Sequence, residues 1–131
     1  MKTIPEKYHD LLSDEKKAFL YLATTMKDGS PQVTPVWFNT DGTHLLINSA
    51  EGRTKDRNMR RDPRVAVCIN DPATPYRYVQ VRGRVVEMTE EGAPEHINAL
   101  SLKYDGKPWK VQPGQVRVLY KILPEKVDAH G

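Results

Sequence analysis

Apolar residues along this chain come in short runs, separated by polar, glycine- and proline-rich punctuation. That rhythm predicts mostly strands. Phe19-Leu20-Tyr21-Leu22-Ala23 is apolar on both faces and centres a strand over Lys17–Met26. Lys27-Asp28-Gly29-Ser30 then reads as a hairpin turn, because Asp-Gly accepts the positive φ such turns need. A second strand over Pro31–Asn39, the turn Thr40-Asp41-Gly42-Thr43 and a third strand over His44–Asn48 complete an antiparallel meander. A helix over Gly52–Arg61 is stopped by Asp62-Pro63. A fourth strand runs over Arg64–Asn70, a rigid loop over Asp71–Pro75, and a long fifth strand over Tyr76–Met88. In that fifth strand Val79, Val81 and Val85 share one face, while Gln80, Arg82 and Arg84 share the other.

Two more helices and a last strand follow from the same rules. Pro5–Leu12 predicts a short helix with proline in its first turn. Thr89 is expected to cap a helix reaching Tyr104, with Glu90 and Glu91 complementing its dipole and Ala93, Ile97, Leu100 and Tyr104 forming its apolar stripe. Asp105-Gly106 ends it, Lys107–Pro113 is a loop, and Gln115–Leu123 is a strand with Val116, Val118, Tyr120 and Ile122 inward. Gly83 marks a bend or bulge within the fifth strand. Six strands with a glycine bend and few helices predict a small closed or nearly closed antiparallel barrel, since closure removes exposed edges. Several strands are apolar on both faces, and one striped helix cannot cover them all. A second copy of the chain is the expected cover.

Composition narrows the class. The 131 residues fit one domain, taken as 1–131. Val65–Ile69 is the longest unbroken apolar run, far short of the roughly 20 residues of a membrane span. Met1-Lys2-Thr3-Ile4-Pro5-Glu6 carries no apolar signal region, and a single cysteine, Cys68, forbids an internal disulfide. Both features suit a reducing cytoplasm. Cys68 lies in an apolar strand and is expected to be an inert thiol. His9, His44, His96 and His130 show no short metal-ligand spacing. Gly-x-Ser-x-Gly, His-Glu-x-x-His, Gly-x-Gly-x-x-Gly and Walker-loop patterns do not occur, so hydrolase, zinc-protease, Rossmann and NTPase readings lack support.

The net charge of +3 is mild, but its distribution is not. Arg53, Lys55, Arg57, Arg60 and Arg61 fall within nine residues, against one acid, Asp56. Met59 is the only strongly apolar residue of that helix. Its cations begin in the first turn, where they oppose the helix dipole at about 0.3–1 kcal/mol each. A solvated surface helix is one reading. An anion site is another: backbone N–H groups at a helix start favour phosphate, and Arg53, Lys55 and the upstream hydroxyl of Ser49 would add to them. A nucleic-acid patch is the third, and it lacks aromatic interleaving.

Three stretches carry a resemblance. They are Ala23–Phe38, Gly52-Arg53-Thr54-Lys55-Asp56-Arg57-Asn58-Met59-Arg60-Arg61-Asp62-Pro63-Arg64-Val65, and Tyr76-Arg77-Tyr78-Val79-Gln80-Val81-Arg82-Gly83. The second is the most specific. Together they resemble the pyridoxamine-phosphate-oxidase-like superfamily in order over residues 15 to 125, and within it the coenzyme F-420-dependent branch. The resemblance implies a mainly β fold: a six-stranded antiparallel split β-barrel of FMN-binding type, homodimeric, with two cofactor sites at the interface. It implies that Arg53, Lys55 and Asn58 hold the cofactor phosphate. It implies that the second-strand backbone at Thr34, Pro35, Val36 and Trp37 borders the tricyclic ring, and that Tyr76 and Tyr78 reach the site from the partner subunit. The tail Val127-Asp128-Ala129-His130-Gly131 lacks the aromatic-rich terminus of many FMN-binding members, and the further basic anchor those members use has no evident counterpart. The deazaflavin coenzyme F-420 is therefore the expected cofactor, with FMN as the alternative.

On that basis the expected activity is hydride transfer from reduced deazaflavin to a small conjugated acceptor in the dimer groove. The cofactor supplies the chemistry, and the protein supplies position and electrostatics. A proton would come from solvent or a tyrosine such as Tyr78; no catalytic residue is assigned. A non-catalytic flavin- or deazaflavin-binding module is the second hypothesis. By default Trp37 is a core or interface aromatic, and Trp109 packs a loop. Acceptor choice would lie in the loops Asp71–Pro75 and Lys107–Pro113.

Overall fold

The order of strands in the sheet decides where a site can form. A computed structural model describes residues 1–131. A 3₁₀ helix spans Glu6–Leu12. It is followed by β1 (Leu20–Thr25), β2 (Pro31–Val36), β3 (Phe38–Thr40), β4 (Leu45–Ala50), α1 (Thr54–Arg61), β5 (Arg64–Asn70), β6 (Tyr78–Thr89), α2 (Ala93–Asp105) and β7 (Arg117–His130). The strands form one sheet in the order β2-β1-β5-β6-β7-β4-β3, and every neighbouring pair is antiparallel. Its two edges, β2 and β3, are consecutive in sequence and separated by Trp37 alone. The row therefore curls until its ends meet there, which is the split-barrel arrangement.

The sheet has seven strands rather than the six expected, because the second predicted strand breaks at Trp37. The break has a visible cause. The Lys103 ammonium donates to the Phe38 carbonyl at 2.7 Å, and the Phe38 N–H donates to the Tyr104 hydroxyl at 3.4 Å. That hydroxyl in turn donates to the Ala18 carbonyl at 2.6 Å. Side chains of α2 thus occupy backbone groups that a ladder partner would use. Other boundaries moved as well. β7 continues to His130 instead of stopping at Leu123, since Pro124-Glu125-Lys126 hides the alternation while the backbone stays paired to β6. β6 begins at Tyr78, not Tyr76. Thr89 ends β6 instead of capping α2: its hydroxyl accepts the Glu91 N–H at 3.0 Å, and Gly92 in the left-handed region is the N-cap.

The barrel interior is filled by residues at alternate positions. Leu20, Leu22, Phe38, Leu45, Ile47, Val67, Ile69, Val79, Val81, Tyr120 and Ile122 are all buried in one cluster, with Met59 of α1 among them. Outside, α2 lies over β7 and β4. The outer face of β1 and β2 is covered within the chain only where Phe19 stacks on Tyr104 of α2. Phe19, Tyr21 and Val33 are 42%, 38% and 65% exposed, although all are large and apolar. No helix is long and apolar enough to cross a membrane.

Gly83 is where β6 and β7 shift register, opposite Pro124. A Cβ there would collide with the Leu123 carbonyl oxygen and sit 3.4 Å from the Pro124 Cα, both backbone atoms that cannot swing aside. Gly83→Ala is expected to destabilise the fold by about 1–2 kcal/mol through overpacking. Urea denaturation read by tryptophan fluorescence would check this, and an unchanged midpoint would refute it.

Candidate functional site

The basic helix is not uniformly basic once folded. Asp56, 1% exposed, accepts the Tyr120 hydroxyl at 2.5 Å, the Gly52 N–H at 2.9 Å and the Arg60 Nε–H at 3.0 Å. It fixes the start of α1 onto β7 and neutralises Arg60. Burial tends to raise its pKa, but the bonds from Tyr120, Gly52 and Arg60 outweigh that and hold the carboxyl below its ordinary value. Arg61 donates to the Thr25 carbonyl at 3.2 Å and to Asn58 Oδ1 at 3.4 Å. These internal ties break up the stripe of free cations that a nucleic-acid surface would need. Arg53 and Lys55 have no carboxylate within ion-pair distance.

Both border a cavity of about 390 Å³. Its apolar walls come from Phe19, Pro35, Val36 and Trp37 on one side and from Ile97, Leu100 and Trp109 on the other. Asn48 and Arg117 complete it. The aromatic rings are ordered by stacking. Trp37 lies on Tyr104 at 5.3 Å and 7°, Phe19 lies on Tyr104 at 5.3 Å, and Trp109 meets Trp37 edge-on at 6.3 Å. Arg117 has its guanidinium 5.1 Å from the Trp109 ring centroid.

The electrostatics are unbalanced. Burial, and then the charges of Arg53 and Arg117, pull the Lys55 ammonium below its ordinary pKa. Burial and Arg53 do the same to Arg117. Three cations thus face one cavity without a counter-charge, an arrangement that costs free energy until an anion joins it. Arg117 is held by Asn48 Oδ1, which accepts its Nε–H at 2.9 Å, and by Gln115 Oε1 at 2.9 Å. Asn48 in turn donates to the Ala93 carbonyl and to His96 Nδ1, each at 3.0 Å.

Of the ten residues singled out from sequence, the cavity gathers Pro35, Val36, Trp37, Arg53 and Lys55. The other five do not line it. Asn58 is 1% exposed, and its amide donates to the Thr24 hydroxyl at 3.0 Å and to Met26 sulfur at 3.3 Å. It holds α1 to β1. Thr34 Oγ1 and Ser49 Oγ are buried with no hydrogen-bond partner. Tyr78 stacks on His130 at 5.7 Å, and Tyr76 is 83% exposed. Sequence reasoning missed Arg117, Asn48, Trp109 as a wall, and His96. The only local signal for Arg117 is a cation between Val116 and Val118 at the head of a strand; its meeting with α1 depends on the β4–β7 pairing.

An aromatic-walled cavity with three unpaired cations fits an aromatic ligand that carries a phosphate. Comparisons with known proteins identify what the chain is similar to. A family model described as pyridoxamine 5'-phosphate oxidase matches residues 4–131. A solved F420 reductase is similar at 35% identity and TM-score 0.84, over 95% of this chain and 98% of the other. A FAD-binding protein of Mesorhizobium loti is similar at 25% identity and TM-score 0.66, over 95% and 92%. A conserved hypothetical protein of Mycobacterium tuberculosis is similar at 25% identity and TM-score 0.72, over 95% and 82%.

Proposed function

This chain belongs to the pyridoxamine 5'-phosphate oxidase family, and we propose that it is a coenzyme F-420-dependent oxidoreductase working as a homodimer. The observation that supports this most is the convergence of Arg53, Lys55 and Arg117, all without carboxylate partners, on one aromatic-walled cavity. The 35% identity to an F420 reductase favours the deazaflavin. When bound, that group supplies the hydride. Lys55, Arg53 and Arg117 would hold its phosphate, and the backbone from Pro35 to Trp37 would border its ring. Phe19, Ile97 and Leu100 would exclude water from the reacting face. Ser49 and Thr34, whose buried hydroxyls lack partners, would turn to it if α1 and β2 adjust on binding.

The uncovered face supports the dimer. Phe19 and Pro35 belong both to the cavity wall and to the β1–β2 surface that bears exposed Tyr21 and Val33. A second copy docked there would close the cavity and bring its own Tyr76 and Tyr78 near. A larger space of about 600 Å³ adjoins the cavity through Ile97, Trp109 and Arg117 and gives room for an acceptor.

FMN is the second reading, and one observation favours it: Arg117 supplies the additional cation that the sequence does not place. Fluorescence titration with oxidised coenzyme F-420 and, in parallel, FMN decides between them. Saturable micromolar binding of the deazaflavin alone is the expected result. Preference for FMN would move the chain to the flavoprotein branch, and binding of neither would end the cofactor reading. Turnover of reduced cofactor with added acceptors separates an enzyme from a carrier.

A further inference from the structure

His96, on α2, is 8% exposed and does not line the cavity, and both its ring nitrogens are engaged. Nε2 is 2.8 Å from Asn39 Oδ1, and Nδ1 is 3.0 Å from Asn48 Nδ2. An amide nitrogen can only donate, so Nδ1 must accept. Nε2 must then carry the proton and donate to Asn39. The second Asn48 hydrogen goes to the Ala93 carbonyl. With both its hydrogens taken, Asn48 can offer only its oxygen to the cavity, and that oxygen accepts the Arg117 Nε–H at 2.9 Å. A flipped Asn48 would set its oxygen against the Ala93 carbonyl and its NH₂ against a guanidinium. The chain Asn39–His96–Asn48–Arg117 therefore runs in one direction.

We infer that His96 is a positioning residue: its unprotonated Nδ1 takes the second Asn48 hydrogen and, with the Ala93 carbonyl, locks the Asn48 amide, and Asn48 aims the Arg117 guanidinium into the anion site. The function this serves rests on the cofactor reading above, but the positioning itself does not. Arg117 has no carboxylate to hold it and repels Arg53 and Lys55, so neutral acceptors keep it in place: Gln115 Oε1 on a terminal nitrogen and Asn48 Oδ1 on Nε, of which the Asn48 amide is the one tied into the His96 chain.

Two conservative variants separate positioning from packing. His96→Asn places an amide oxygen where Nδ1 lies and keeps the acceptor for Asn48, losing the bond to Asn39. His96→Gln reaches Asn39 with its terminal amide and keeps the tie between α2 and β3, but leaves Asn48 without that acceptor. The first readout is the Arg117 Nε–H cross-peak in ¹⁵N NMR of the whole chain without ligand. It should be slow to exchange in the parent and in His96→Asn, and fast in His96→Gln and Asn48→Leu. The second is affinity for FMN and for coenzyme F-420. His96→Gln should weaken the binding about three- to tenfold, the range for one buried neutral hydrogen bond, and His96→Asn should restore it. An Arg117 cross-peak equally protected in His96→Gln and the parent overturns the proposal whatever the ligand does. A cross-peak that responds as expected, with Arg117→Ala leaving both affinities unchanged, keeps the positioning role and sinks the phosphate assignment instead.

Discussion

Lys55→Met should weaken binding of the phosphate-bearing cofactor by about 1.5–3 kcal/mol, roughly ten- to hundredfold in Kd, while the melting temperature holds or rises. The two effects have opposite signs for one reason. The Lys55 ammonium is half-buried and faces Arg53 and Arg117 without a carboxylate, so the folded chain without an anion gains nothing from its charge. Met keeps the unbranched stem that packs against the cavity and removes the charge. What is lost is the charge-assisted bond to the ligand. Titration of the variant, with thermal melts of the same samples, checks both signs. Arg57→Ala is the control. Arg57 is exposed on the same helix and does not line the cavity, so its loss should leave the affinity unchanged. Equal weakening in both variants would mean that the helix acts through its general positive field, as a solvated basic surface would. A lower melting point with unchanged affinity for Lys55→Met would mean the lysine is structural.

How much of this was legible in the sequence depends on range. The β character, the turns at Asp28-Gly29 and Asp41-Gly42, and the bend at Gly83 rest on local chemistry and are readable in a few residues. Arg53 and Lys55 stood out because cations in a first helical turn oppose the dipole. The break at Trp37 was not readable, because its causes, Lys103 and Tyr104, lie on a helix that packs across from a distant part of the chain. The partition of the basic cluster was hidden for the same reason. Asp56 looks like a lone acid among cations, and only the fold shows it spent on Tyr120, Gly52 and Arg60. Asn58, read as a phosphate ligand by resemblance, has its amide committed to Thr24. Arg117 and His96 carry no motif at all. Their roles come from β4, which brings Asn48 between them.

Acidification should destabilise the folded chain in a window set by His96. Burial, and next the charge of Arg117, lower its pKa from the ordinary 6.5 to about 4. The unfolded chain therefore takes up a proton near pH 6.5, and the folded chain resists until about pH 4. The stabilisation from keeping this ring neutral is whole above pH 6.5 and is lost progressively as pH falls toward 4. It amounts to about 3 kcal/mol for a shift of that size. Carboxylates act later. Asp10, hydrogen-bonded by Arg77, and Asp62, hydrogen-bonded by Arg64, are held near 2 and begin to withdraw stability only below their ordinary 3.8. The two contributions thus separate on the pH axis. Urea unfolding at pH 7, 6, 5 and 4.5 should show the midpoint falling through this range in the parent chain. In His96→Asn, which cannot titrate there, the fall should largely vanish, even if the variant starts less stable at pH 7. A variant that loses stability along the parent's curve would show that another group carries the acid limb.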